Sequence, residues 1–159
     1  MNASLPANLL VEDDPNDVLL IQRAFRKANL GNPVHVVRDG DEAVAYLAGS
    51  GGYADRALHP YPVLVLLDLK LPRKSGHEVL QWPRGQEELR RTPVVVLTSS
   101  RESIDVDRAY DLGANSYLVK PVSAGALFEM VQALKRYWLI LNENPHLPGA
   151  GAGARRGEP

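Results

Sequence analysis

Cysteine is absent from the 159-residue chain. Its absence excludes disulfide scaffolds, thiolate metal sites and thiol catalysis, and it is neutral about compartment. Charge of one sign is lacking too. Eighteen basic residues stand against nineteen acidic ones, leaving a formal net charge of −1, so no strong field points to nucleic acid or an anionic membrane. No basic cluster carries interleaved aromatics, and no helix-turn-helix pattern appears. No apolar run is long enough to span a bilayer, and the N-terminus lacks a charged segment followed by a long apolar stretch, so neither a membrane span nor a signal peptide is expected. Internal repeats are missing as well. The expectation is a soluble cytoplasmic protein with no nucleic-acid or membrane partner, of a length that suits one domain with a full core.

What is present centres on residues 63–72, Val-Leu-Val-Leu-Leu-Asp-Leu-Lys-Leu-Pro. Five apolar residues in a row suit a strand buried on both faces. The run ends on a carboxylate, Asp68, whose solvation is costly to lose unless something pairs with it. Before it, residues 8–11 read as a short buried strand ending in Glu12, Asp13 and Asp14. Pro15 suits the first turn of a helix with Asp14 as its N-cap. Val18, Ile21, Phe25 and Ala28 recur at helical spacing up to Gly31. A second strand over 33–37 and a helix beginning at Asp39-Gly40 follow, and residues 49–62 read as an irregular surface loop. After the Asp68 strand, a helix starts near Ser75 or Gly76 and is short, kinked or broken at Pro83 and Gly85. Residues 93–97 form a fourth strand ending in Thr98-Ser99-Ser100, 102–112 a fourth helix, and 115–119 a fifth strand ending in Lys120-Pro121. Ser123 caps a last helix with Leu127, Val131, Leu134, Trp138 and Leu141 on one stripe. Residues 8–141 make the folded unit, and the Pro/Gly/Ala-rich tail 142–159 is expected to be disordered.

Five strands alternating with five helices imply an α/β fold. It is a doubly wound, five-stranded parallel sheet in the flavodoxin-like order 2-1-3-4-5 with helices on both faces. That topology brings the strand ends together. Glu12 and Asp13, Asp68, Thr98 and Lys120 converge at one edge of the sheet. Packed carboxylates repel, and all-oxygen ligation selects a hard divalent cation such as Mg²⁺. A magnesium ion lets phosphate oxygens approach an acidic site, Lys120 and Thr98 offer further contacts to them, and a carboxylate is a competent nucleophile toward phosphorus.

With Glu12-Asp13-Asp14, Leu67-Asp68 with Leu71-Pro72, Thr98-Ser99 and Lys120-Pro121 in order, the chain resembles the receiver domain of two-component response regulators over nearly its whole length. The resemblance implies a single-domain switch rather than an enzyme, with self-catalysed phosphorylation and dephosphorylation at most. It implies that Asp68 accepts a phosphoryl group from a sensor histidine kinase. It implies Mg²⁺ on Asp13, Asp68 and the backbone carbonyl of Lys70, with Glu12 helping through water. Lys120 would pair with the phosphoryl group across a cis bond to Pro121, Thr98 would move toward it, and Tyr117 would be the switch aromatic. The long 49–62 loop, the Leu97-Thr98-Ser99-Ser100 ending and the elongated last helix resemble the short regulators encoded with bacterial phytochromes, which implies a bacteriophytochrome-type kinase.

Other readings compete. Asp14 suits a helix cap better than a ligand, Ser100 suits the cap of the fourth helix, and His35, His59, His77 and His146 read as surface histidines. Residues 137–141 are apolar all round, which implies a homodimer through the fourth helix, fifth strand and last helix. A haloacid-dehalogenase-type, Mg-dependent phosphohydrolase is the alternative function, although its second acid is replaced by Lys70. A flavodoxin is disfavoured because Glu12-Asp13-Asp14 would repel a bare phosphate.

Overall fold

The computed structural model describes residues 6–28 and 31–146. Its strands are β1 (Ala7–Val11), β2 (Val34–Val37), β3 (Pro62–Leu67), β4 (Val94–Thr98) and β5 (Ser116–Val119). They form one parallel sheet in the order β2-β1-β3-β4-β5. The expected topology is therefore the observed one. The helices are α1 (Pro15–Lys27), α2 (Gly40–Ala48), α3 (Gly76–Arg84), α4 (Ser103–Asp111) and α5 (Ala124–Leu134). A π-helical turn, Lys135–Leu141, prolongs α5.

Strand alternation divides the core in two. In β3, Val65 and Leu67 face a layer containing Tyr46 and Leu47 of α2, Val79 and Leu80 of α3, and Ala109 of α4. Leu64 and Leu66 face the opposite layer with Ile21 and Phe25 of α1 and Leu127, Val131 and Leu134 of α5. Both faces of the central strands are covered, which is why they read as unbroken apolar runs rather than alternating ones.

Local chemistry sets most of the helix starts. Asp14, Asp39, Ser75 and Ser123 each accept a backbone N–H of the first turn, from Asn16, Glu42, Glu78 and Ala126 respectively. Ser100 does not cap α4, contrary to expectation. Glu102 holds the cap position without a side-chain bond, and the Ser100 hydroxyl donates to Asp105 Oδ2 at 2.5 Å. The helix over Gly76–Arg84 is short, and Pro83 sits in its last turn, where a missing N–H removes a single bond.

The 49–62 segment is more ordered than a surface loop. It carries a 3₁₀ turn, Gly51–Tyr53, and Arg56 ties it to α2 by donating to the carbonyls of Tyr46 and Leu47 and, within the segment, of His59. Tyr46 and Tyr53 add hydroxyl bonds to the Pro60 carbonyl and to Glu42. The histidines need correction as well. His77, in the first turn of α3, is buried, and His35 and His59 pack with Tyr46 in an aromatic group. Among the four, His146 alone is exposed. Residues 142–146 follow the π-helical turn without regular structure, and the expected disorder of the tail beyond them lies outside the described residues.

Candidate functional site

Four strands end at the same edge of the sheet, and each hands a polar side chain to it. The Glu12 amide, one residue past β1, donates to Val37 O at 3.0 Å, and the Asp68 amide, one past β3, donates to Val11 O at 3.0 Å. Thr98 closes β4. Lys120 follows β5, and its amide donates to Thr98 O at 2.8 Å. The sheet's own hydrogen bonds thus run up to the functional residues, so their side chains start from a rigid frame.

Asp68 is the centre. Its Oδ1 accepts from Thr98 Oγ1 at 2.8 Å and from the Lys70 amide at 3.2 Å, and its Oδ2 accepts from Lys120 Nζ at 2.9 Å. Lys120 Nζ also donates to Glu12 Oε1 and, at 2.9 Å, to Asp17 Oδ2. Glu12 in turn accepts the Asp14 amide at 3.2 Å. The Glu12 side chain is 1% exposed, Asp68 8%, Lys120 13% and Asp17 34%.

Burial explains the electrostatics. It pushes the Glu12 carboxyl up to about 7, against the pull of Lys120 and with a further push from the Asp68 charge. Burial also raises Asp68, but Lys120, Thr98 and the Lys70 amide together outweigh it and hold that carboxyl below the usual aspartate value. Burial disfavours the Lys120 ammonium, yet its bonds to Glu12, Asp17 and Asp68 win and hold its titration above the ordinary lysine range.

The donor set suits a hard cation. One carboxylate oxygen from each of Glu12, Asp13 and Asp68 lies within 4.8 Å of the others. Asp13 is exposed, which leaves it open to an incoming ion. An all-oxygen, acid-rich cluster of this kind fits a divalent ion of the Mg²⁺ class. Close to it, α3 is seated directly on the chain after β3. A Cβ at Gly76 would lie 2.4 Å from Leu69 Cα and 2.5 Å from the Asp68 carbonyl oxygen, so only glycine lets the helix start there.

Every side chain expected at this edge is there: Glu12, Asp13, Asp68, Thr98 and Lys120. Tyr117 lies on β5 with its hydroxyl donating to Ser100 O at 3.0 Å, so it is tied to the loop that follows Thr98. The Lys70 amide donates to Asp68 Oδ1. Among the described residues no peptide bond is cis, so the Lys120-Pro121 bond is trans where cis was expected. Asp17 is the residue the sequence reading missed. It sits in the first turn of α1, where an acid is ordinary because of the helix dipole, and only the fold reveals its contact with a lysine 103 residues away.

Comparison with known proteins places this geometry. A model of the response regulator receiver domain matches residues 9–132. The chain belongs to that family. It is 44% identical over 137 residues to a probable methanogenesis regulatory protein, FilR2, of Methanothrix harundinacea, covering 86% of each. It is 41% identical over 142 residues to the response regulator Rcp1 of Synechocystis, covering 89% of this chain and 92% of that one. Rcp1 has also been solved in a Mn²⁺-bound form, with a TM-score of 0.79 at 39% identity, covering 89% of this chain and 99% of that one. The phosphorylated cyanobacterial phytochrome response regulator RcpA superposes with a TM-score of 0.83 at 39% identity, over 90% of this chain and 100% of that one. The chain is therefore a receiver of a two-component response regulator with phytochrome-associated homologues. The hydrolase alternative has nothing to support it, and Lys70 stands where that class needs its second acid.

Proposed function

We propose that Asp68 accepts a phosphoryl group from the phosphohistidine of a sensor kinase and that the domain signals by a changed interaction surface. The observation that carries this reading is the meeting of Thr98 Oγ1 and Lys120 Nζ on the two oxygens of one buried carboxylate. In the proposed transfer an Asp68 oxygen bonds to phosphorus, the phosphorus–nitrogen bond of the donor breaks, and the electron pair stays on the imidazole, which takes up a proton. Glu12, Asp13, Asp68 and the Lys70 carbonyl would hold Mg²⁺, which supplies positive charge to the phosphoryl oxygens. Lys120 takes one of those oxygens, and the Thr98 hydroxyl turns from Asp68 to another. Tyr117, bonded to the Ser100 carbonyl, follows the movement of the loop after Thr98.

The kinase we propose is of the bacteriophytochrome type, on the strength of the likeness to RcpA and Rcp1, and the reaction takes place in the cytoplasm. A homodimer through α4, β5 and α5 with its π-helical extension fits the exposed Tyr110, Tyr137 and Leu141. Incubation with acetyl phosphate and Mg²⁺ tests the acceptor. One base-labile phosphoryl group is expected by mass in the wild type and none in Asp68→Asn. A wild type that gains no phosphoryl, or a variant that gains one, overturns the proposal. Sedimentation at micromolar concentration tests the dimer, and a monomer with and without a phosphoryl analogue sinks it.

A further inference from the structure

Lys120 has three N–H bonds to give, and all three are engaged by carboxylates, on Glu12, Asp17 and Asp68. A lysine in that state cannot contact a phosphoryl oxygen without releasing one of them. The three partners are not equal. Glu12 is 1% exposed and has little water to turn to, so leaving its charge without the ammonium is expensive, and Asp68, 8% exposed, still offers Lys120 its second carboxyl oxygen once the first carries the phosphoryl group. Asp17 is 34% exposed, its charge lies in the first turn of α1, where the helix dipole favours it, and water can replace the ammonium. Nor is Asp17 occupied as the reciprocal partner of the helix cap. The Asp14 amide, which an acid at its position would otherwise accept, is already bonded to Glu12.

We infer that Asp17 is a positioning residue for Lys120, holding the third ammonium hydrogen in the unphosphorylated protein and releasing it to the phosphoryl group. The inference rests on the proposed phosphorylation of Asp68. Its consequence has a definite sign. Asp17 stabilises the unphosphorylated arrangement only, so removing its charge favours the phosphorylated one.

The test is a cycle between substitution and a phosphoryl analogue. Beryllofluoride with Mg²⁺ is titrated onto the wild type, Asp17→Asn, Asp17→Ala and Asp17→Glu, and melting temperature is followed with and without it. The neutral variants are expected to bind the analogue about threefold more tightly than the wild type. They should melt below it without the analogue and together with it once the analogue is bound. Asp17→Glu, which keeps a carboxylate in reach, should restore wild-type affinity. The gain should persist in 1 M NaCl, where a through-space charge effect is screened within about 3 Å. Unchanged or weaker binding, an equal loss of melting temperature in both states, or a gain that disappears in high salt overturns the inference. Failure of the underlying reading looks different, because the wild type would then bind no analogue or bind it undiminished in Asp68→Asn.

Discussion

Replacing Lys120 by methionine tests the electrostatics of the site most directly. Methionine keeps much of the side chain's volume and removes its charge. Two carboxylates, 1% and 8% exposed, then lose their ammonium partner. Removing one member of a buried pair costs about 3–5 kcal/mol because the survivor is left charged and desolvated. Protonation limits that loss. Glu12 is already raised by burial to about 7 with the lysine in place, and without the lysine it rises further. Its folded value then lies well above the unfolded 4.5, so its stabilising contribution is complete at low pH and is lost as pH climbs through the folded value, at up to about 1.4 kcal/mol per pH unit. Asp68 in the wild type runs the other way. Its folded value lies below the unfolded 3.8, so its contribution is present above that value and is lost as pH falls through the folded one. The variant is therefore expected to unfold in urea with a deficit of about 3–5 kcal/mol at pH 8, smaller by about 1 kcal/mol at pH 5, because its Glu12 takes up a proton at a higher pH than that of the wild type. The wild type should also gain on acidification, because its Glu12 already stands at about 7, but over a window that opens lower in pH and so by less than the variant. A deficit below about 1 kcal/mol at pH 8, or one that is the same at both pH values, would mean that the lysine does not neutralise these acids.

Three further outcomes follow from the same geometry. Mg²⁺ binding should expel the proton that Glu12 carries, so calorimetry in buffers of different ionisation enthalpy should show close to one proton released at pH 6 and almost none at pH 8; equal release at both would show that Glu12 is not the group titrating near 7. Gly76→Ala drives a methyl into Leu69 Cα and the Asp68 carbonyl and should cost about 3 kcal/mol or prevent folding, measured by denaturant midpoint; a neutral effect would show that α3 does not sit on the acceptor strand as described. Arg56→Ala removes donors from three carbonyls and should expose the 49–62 segment to limited proteolysis while leaving acetyl-phosphate labelling of Asp68 intact; unchanged cleavage would show that Arg56 does not hold this segment to α2.

The parts of this protein that were legible in its sequence share a physical cause. The sheet was readable because β1, β3 and β4 are buried on both faces, which forces unbroken apolar runs, and because the runs stop at residues no core tolerates. The site was readable for the same reason. Glu12 and Asp68 stand one residue past their strands, Thr98 closes its own, and Lys120 follows β5. A parallel sheet aligns such positions without any knowledge of side-chain contacts. Capping at Asp14, Asp39, Ser75 and Ser123 is also local, fixed within three residues of the helix start.

What escaped is what arginine, histidine and a helix acid do when the chain returns from far away. Arg84 looks like a solvated charge at the end of a helix, where the dipole alone would justify it. In the structure its guanidinium donates to the carbonyls of Gly113, Arg90 and Thr92 and to Asn115 Oδ1, joining the end of α3 to the turn before β5. Arg56 does the same for α2 and the 49–62 segment. Both cross-link backbone carbonyls at helix ends and turns that come together only after the elements have been packed. Asp17 belongs with them. Its neighbours in sequence explain it fully as a first-turn acid, and that sufficiency hid its contact with Lys120. A residue with an adequate local role gives no sequence signal for a second, distant one, so such double roles are found only by asking of each buried charge how many partners it already has.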